Sequence, residues 1–146
     1  MNDGSFTTSF VVDQTSEEVY DAVVDVRSWW FADIDGSSDH LDDEFTYSVP
    51  GTHWNAMRVT ELVRGERVAW LVTDSRLEFT DVHDEWTGTT IAFDIEPTAA
   101  GTRLRFTHDG LVPAYQCFTD CSNAWGSFVN SSLKARIKTG TAVGGV

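Results

Sequence analysis

The sequence predicts an α+β domain. A curved antiparallel sheet of about six strands wraps around a long C-terminal helix, and two short helices follow the first strand. Three observations predict it. Residues 90–96 and 102–108 alternate apolar and polar side chains on either side of Pro97–Gly101, the pattern of a hairpin with one covered face. From Asp120 to Lys138 apolar residues recur at helical spacing, and the run stops at Gly140. Between residues 44 and 73 strand-like runs are separated only by short turns, so neighbours run antiparallel.

The elements follow in order. Ser5–Val12 is a strand rich in β-formers (Phe6, Phe10, Val11, Val12). Thr15-Ser16-Glu17-Glu18 is a capping box, and Val19, Ala22, Val23 and Val26 form one helical face ending near Arg27. Ser28–Phe31 starts a second short helix, with Trp29 and Trp30 against the sheet. Asp33–Asp43 reads as a loop. Glu44–Val49 is a strand with Phe45, Tyr47 and Val49 on one face, and Pro50-Gly51 turns into a long strand, Thr52–Val63. Arg64-Gly65-Glu66 leads into Arg67–Thr73, and Asp74–Asp84 reads as a loop with at most one short strand. Ile91, Phe93 and Ile95 alternate on the next strand; Leu104, Phe106 and His108 point inward on the last. Asp120 or Thr119 caps the final helix, which spans about 28 Å at 1.5 Å per residue. Its last turns carry Lys134, Arg136 and Lys138, where cations suit the helix dipole.

At 146 residues this is one domain, residues 1–140, with a fraying tail at 141–146. Six Trp, nine Phe and three Tyr suit either an aromatic core or a lined pocket. A net charge of −13 argues against nucleic acid and anionic membranes as partners. No apolar run approaches a membrane span and no leader precedes the first strand, so a cytoplasmic location is expected. Glycine-rich phosphate loops, nucleophile elbows and zincin motifs do not occur. No cofactor is expected.

Certain residues recur in a telling order. Phe10-Val11-Val12 precedes Ser16-Glu17-Glu18-Val19-Tyr20, and Trp29-Trp30 follows the first helix. Then come Glu85-Trp86-x-Gly88-Thr89, Thr107-His108-x-Gly110-Leu111, Cys117, Cys121, Trp125, Ser132-Leu133 and Thr139-Gly140. In this order the chain resembles the START-like, helix-grip superfamily (SRPBCC), in the branch related to the activator of the heat-shock-protein-90 ATPase. The resemblance implies a deep cavity between sheet and C-terminal helix. Members bind or transform lipids, sterols, polyketides and plant hormones, and others are protein-binding modules.

The leading functional expectation is a binder of a small hydrophobic or aromatic molecule. The expected lining is Trp30, Tyr47, Trp54, Trp70, Phe93, Phe106, Tyr115, Trp125 and Phe128, with His108 and Cys121. His108, Tyr115 and Tyr47 are the polar anchors, while Trp86, near a strand start, reads as structural. A lone histidine on an apolar face is usually held by structural hydrogen bonds; in a cavity it is also the one candidate acid/base. That second role defines a rival reading, an enzyme of cyclase, aromatase or hydrolase type. Asp109 should face away from His108 and makes a poor orienter. Cys117 and Cys121 share a helix face and read as small apolar filler. With His108 they supply at most three ligands, so no metal site is expected. A co-chaperone-like module is the third reading. Strand 67–73 is apolar on both faces (Val68, Trp70, Val72; Ala69, Leu71), consistent with double cover or a homodimer.

Overall fold

The computed structural model describes residues 5–30, 33–49, 53–77, 86–111 and 118–139. Strand β1 (Phe6–Val12) leads to helix α1 (Ser16–Val24) and a 3-10 turn (Val26–Ser28). Six strands follow: β2 (Asp33–Gly36), β3 (Glu44–Val49), β4 (His53–Val63), β5 (Arg67–Leu77), β6 (Thr90–Thr98) and β7 (Gly101–Asp109). The chain closes with α2 (Phe118–Ser127), a π-helical stretch (Phe128–Leu133) and α3 (Lys134–Thr139), which run on as one helix. All pairings are antiparallel and the sheet order is β1-β7-β6-β5-β4-β3-β2.

The capping box forms as the sequence predicts. The Glu18 amide donates to Thr15 Oγ1 at 3.1 Å, and the Thr15 amide donates to Glu18 Oε1 at 3.0 Å. Val19, Ala22 and Val23 are buried on one face. The helix ends at Val24, sooner than expected. In place of the second helix expected from Ser28, a single 3-10 turn spans Val26–Ser28, where the Ser28 hydroxyl donates to the Asp25 carbonyl at 2.7 Å.

The sheet has seven strands because Asp33–Gly36, expected as loop, pairs with β3 from Asp33↔Ser48 to Gly36↔Phe45. Its own side chains carry little β signal. Pairing with β3 and hydrogen bonds from Arg27 Nη2 to the Ile34 and Gly36 carbonyls hold it there. Its exposed aspartates suit an edge strand.

Strand β5 runs to Leu77, beyond the expected end at Thr73. Register shifts between Ala56 and Met57 and between Val59 and Glu61 explain the discrepancy. Met57 pairs with Val72 but Ala56 with Asp74, so Thr73 is an extra residue. Val68, Trp70 and Val72 face the interior before it, Ser75 and Leu77 after it. The alternation changes phase at the bulge, which disguises the strand in the sequence.

The C-terminal helix lies over the inner face of the sheet. Asn130 Nδ2 donates to Thr8 Oγ1 on β1 at 3.1 Å, Lys134 Nζ sits 5.7 Å from the Phe10 ring, and Arg136 is 3.7 Å from Asp25. Cys121, Trp125, Val129, Ser132, Leu133 and Ile137 are buried beneath it. The π stretch turns Ser132 inward, where its hydroxyl donates to the Trp29 carbonyl at 2.5 Å. No helix among the described residues is long and apolar enough to cross a membrane.

Two glycines make opposite predictions. Gly101 has φ +141°, and a Cβ there would lie 2.2 Å from the Val12 carbonyl oxygen. Gly126, inside α2, has open space where a Cβ would go. Gly101→Ala is expected to lose about 2 kcal/mol or more, whereas Gly126→Ala should gain about 0.5–1 kcal/mol. Urea unfolding of both variants checks the pair.

Candidate functional site

The interior divides along the strands. Over the middle of the sheet the chain's own rings fill the space under the helix. Trp30 lies 4.9 Å from Trp125 and 6.0 Å from Trp70, Phe106 lies 4.5 Å from Trp125, and Phe93 lies 5.2 Å from Phe106. Phe128 meets Trp30 edge-on at 6.5 Å, and Cys121 is buried on the same helix. The deep hollow implied by the resemblance is therefore occupied here by side chains.

The other part is the end of the sheet where β4 begins and β5 finishes. Register places Tyr47 opposite Asn55, Asn55 opposite Ser75, and His53 opposite Leu77. Polar groups collect on the inner face at this end. Asn55 is fully buried, and its Nδ2 donates to His53 Nε2 at 2.7 Å. Ser75 Oγ and Thr87 Oγ1 are 3.0 Å apart. Five rings close a circuit around the same place: Trp30 to Tyr47 at 4.0 Å, Tyr47 to His53 at 5.4 Å, His53 to Trp86 at 4.7 Å, Trp86 to Trp125 at 5.7 Å, and back to Trp30.

His108 braces this circuit from beneath. The Trp125 indole N–H donates to His108 Nδ1 at 3.0 Å. Nδ1 therefore carries no proton, and Nε2–H donates to Thr89 Oγ1 at 2.8 Å. The Thr89 hydroxyl in turn donates to the Trp86 carbonyl at 2.5 Å. Both ring nitrogens are committed within the protein. Burial, reinforced by nearby His53, pushes the His108 pKa down to about 3. Burial likewise lowers His53 to about 4 and raises Tyr47 to about 12. All three are neutral at pH 7, and no Asp, Glu, Lys or Arg is buried among the described residues. Asp109 is exposed, turned away from His108, and accepts a long 3.4 Å contact from Ser5 Oγ.

Two polar atoms at this end have no partner among the described residues: Asn55 Oδ1 and Trp86 Nε1. Trp70 Nε1, deeper in the core and edge-on to Phe45 at 5.1 Å, is a third. Each such orphan costs about 1–3 kcal/mol while it stays unpaired.

Of the residues singled out in the sequence, Trp30, Tyr47, Trp70, Phe93, Phe106, His108, Cys121, Trp125 and Phe128 do come together in this interior. Tyr115 and Cys117 lie outside the described residues. Trp54 is placed differently: it pairs with Ser48 and Arg76 on the opposite, outer face. Asn55, Met57 and Val59 are the buried residues of β4. That parity was a usable signal, and the bulk of Trp54 masked it. Sequence reasoning does not single out His53 or Asn55, and it reads Trp86 as structural.

Elsewhere, a surface dent of about 380 Å³ on the outer face includes Glu61, Arg67, Asp94 and Arg105. Arg67 already pairs there with Glu61 at 2.8 Å and Asp94 at 2.5 Å. Asp39, His40 and Asp43 meet on the surface closely enough to hold a cation, and His40 Nδ1 lies 2.9 Å from Asp39 Oδ1.

The Activator of Hsp90 ATPase homolog 1-like protein family matches residues 13–138. The chain belongs to that family. No curated protein matches it. Solved structures share the family's helix-grip fold. The solution structure of the Aha1 dimer from Colwellia psychrerythraea has a TM-score of 0.74 and 23% identity, covering 93% of this chain and 97% of that one. Protein CV1439 from Chromobacterium violaceum has a TM-score of 0.64 and 21% identity, covering 92% and 98%. CalU16 from Micromonospora echinospora has a TM-score of 0.60 and 15% identity, covering 85% and 68%.

Proposed function

We propose that this family member is a cytoplasmic binding protein for a small hydrophobic or aromatic molecule, taken up at the His53 end of the aromatic interior. One observation carries the reading. Polar side chains that a solid core would exclude (His53, Asn55, Ser75) gather on the inner face at a single end, inside a wall of Trp and Tyr rings. A few placed polar groups in an apolar wall is the usual make-up of a small-molecule site. Binding, rather than catalysis, is the reading supported: His108 has both nitrogens engaged, and at neutral pH neither it nor His53 holds a proton to donate as an imidazolium.

Titration with neutral two- and three-ring aromatics should quench the tryptophan emission saturably. A folded protein silent across the whole panel contradicts the proposal. The dimeric relative supports self-association of this chain as well, which sedimentation velocity reads directly. A chaperone partner, in line with the family description, would show as salt-sensitive co-purification.

A further inference from the structure

Asn55 and Trp86 flank one side chain, His53. Asn55 spends its amide N–H on His53 Nε2 at 2.7 Å and keeps its carbonyl oxygen unpaired. The Trp86 indole stands perpendicular to the His53 ring at 4.7 Å, and its N–H is also unpaired. One orphan is a pure acceptor and the other a pure donor. Neither is a group that solvent reaches, because Asn55 is 0% and Trp86 3% exposed. The free protein already bears the cost of leaving both unpaired, so a ligand that matched both would relieve it and be selected over its apolar isostere.

The same surroundings reject charge. The buried residues among those described include no carboxylate, ammonium or guanidinium to neutralise an ion. Among the described residues, the titratable rings around it, His53, His108 and Tyr47, are held neutral by burial. An ionised ligand placed here would go unpaired into an aromatic interior.

Taking the binding reading above as its basis, we propose that the ligand is an uncharged, ring-bearing molecule of lactam or secondary-amide type. Its N–H meets Asn55 Oδ1 and its carbonyl accepts from the Trp86 indole N–H. These two residues determine specificity, and the rings of Trp30, Tyr47 and Trp125 supply bulk affinity.

Calorimetric titration with four probes built on a fused two-ring frame tests this: the lactam carbostyril, naphthalene, naphthoate and naphthylmethylammonium. Carbostyril should bind at least about tenfold more tightly than the other three, a difference of 1.4 kcal/mol. Trp86→Phe and Asn55→Leu should each erase its advantage over naphthalene. If naphthalene or either ion binds wild type as tightly as carbostyril, the specificity assignment is wrong and the binding site stands. If no probe binds the folded wild type, both fail. The wild-type series decides the matter even where a variant does not fold.

Discussion

Trp125→Ala is expected to lower stability by about 3–5 kcal/mol, the range for deleting a buried tryptophan. At this chain length that corresponds to a fall in Tm of about 10–15 °C. Trp125 is 2% exposed and touches Trp30, Trp86 and Phe106, so its removal opens the junction of helix and sheet. It also strips His108 Nδ1 of its donor. Trp125→Phe separates the two effects. It keeps most of the ring but orphans Nδ1, and should cost about 1–2 kcal/mol. Thermal and urea unfolding of both variants provide the check. Equal, small losses in both would mean that the helix does not depend on this contact.

The second large effect is acid destabilisation between pH 6.5 and 5. His53 and His108 have folded pKa values depressed to about 4 and about 3 from an ordinary 6.5. Below pH 6.5 the unfolded chain takes up protons that the folded protein refuses, so the unfolded state gains. The stability due to neutral burial is fully present above pH 6.5. It declines as pH falls towards 4 for His53 and towards 3 for His108. Each histidine should contribute a loss of about 2 kcal/mol by pH 5, where most carboxylates are still ionised. His53→Gln should remove roughly half of the slope. Stability that stays level from pH 6.5 to 5 would show that the two rings are not held neutral.

Most of the fold is legible in the sequence because its signals are local. The capping box at Thr15–Glu18, the alternation of residues 90–108 and the stripe through Cys121 and Trp125 each declare themselves within a few residues. What escapes is set by distant partners. Strand β2 exists because β3 and Arg27 hold it, and the far half of β5 is hidden by the phase change at Thr73. At the site, aromatic residues identify the interior but not which part is packed solid. The polar end depends on Asn55, which follows a tryptophan that looks like the better pocket residue. Which nitrogen of His108 carries the proton is set by Trp125 and Thr89, 17 and 19 residues away, and no local pattern records them.

The most direct test of the site follows the six indole N–H signals in a ¹⁵N–¹H correlation spectrum while carbostyril is added. Trp86, whose N–H is unpaired at the proposed site, should move furthest, with Trp30 shifting alongside it. Trp54, on the outer face, should stay where it is. A titration in which Trp54 moves and Trp86 does not would put the ligand on the wrong side of the sheet and contradict the account.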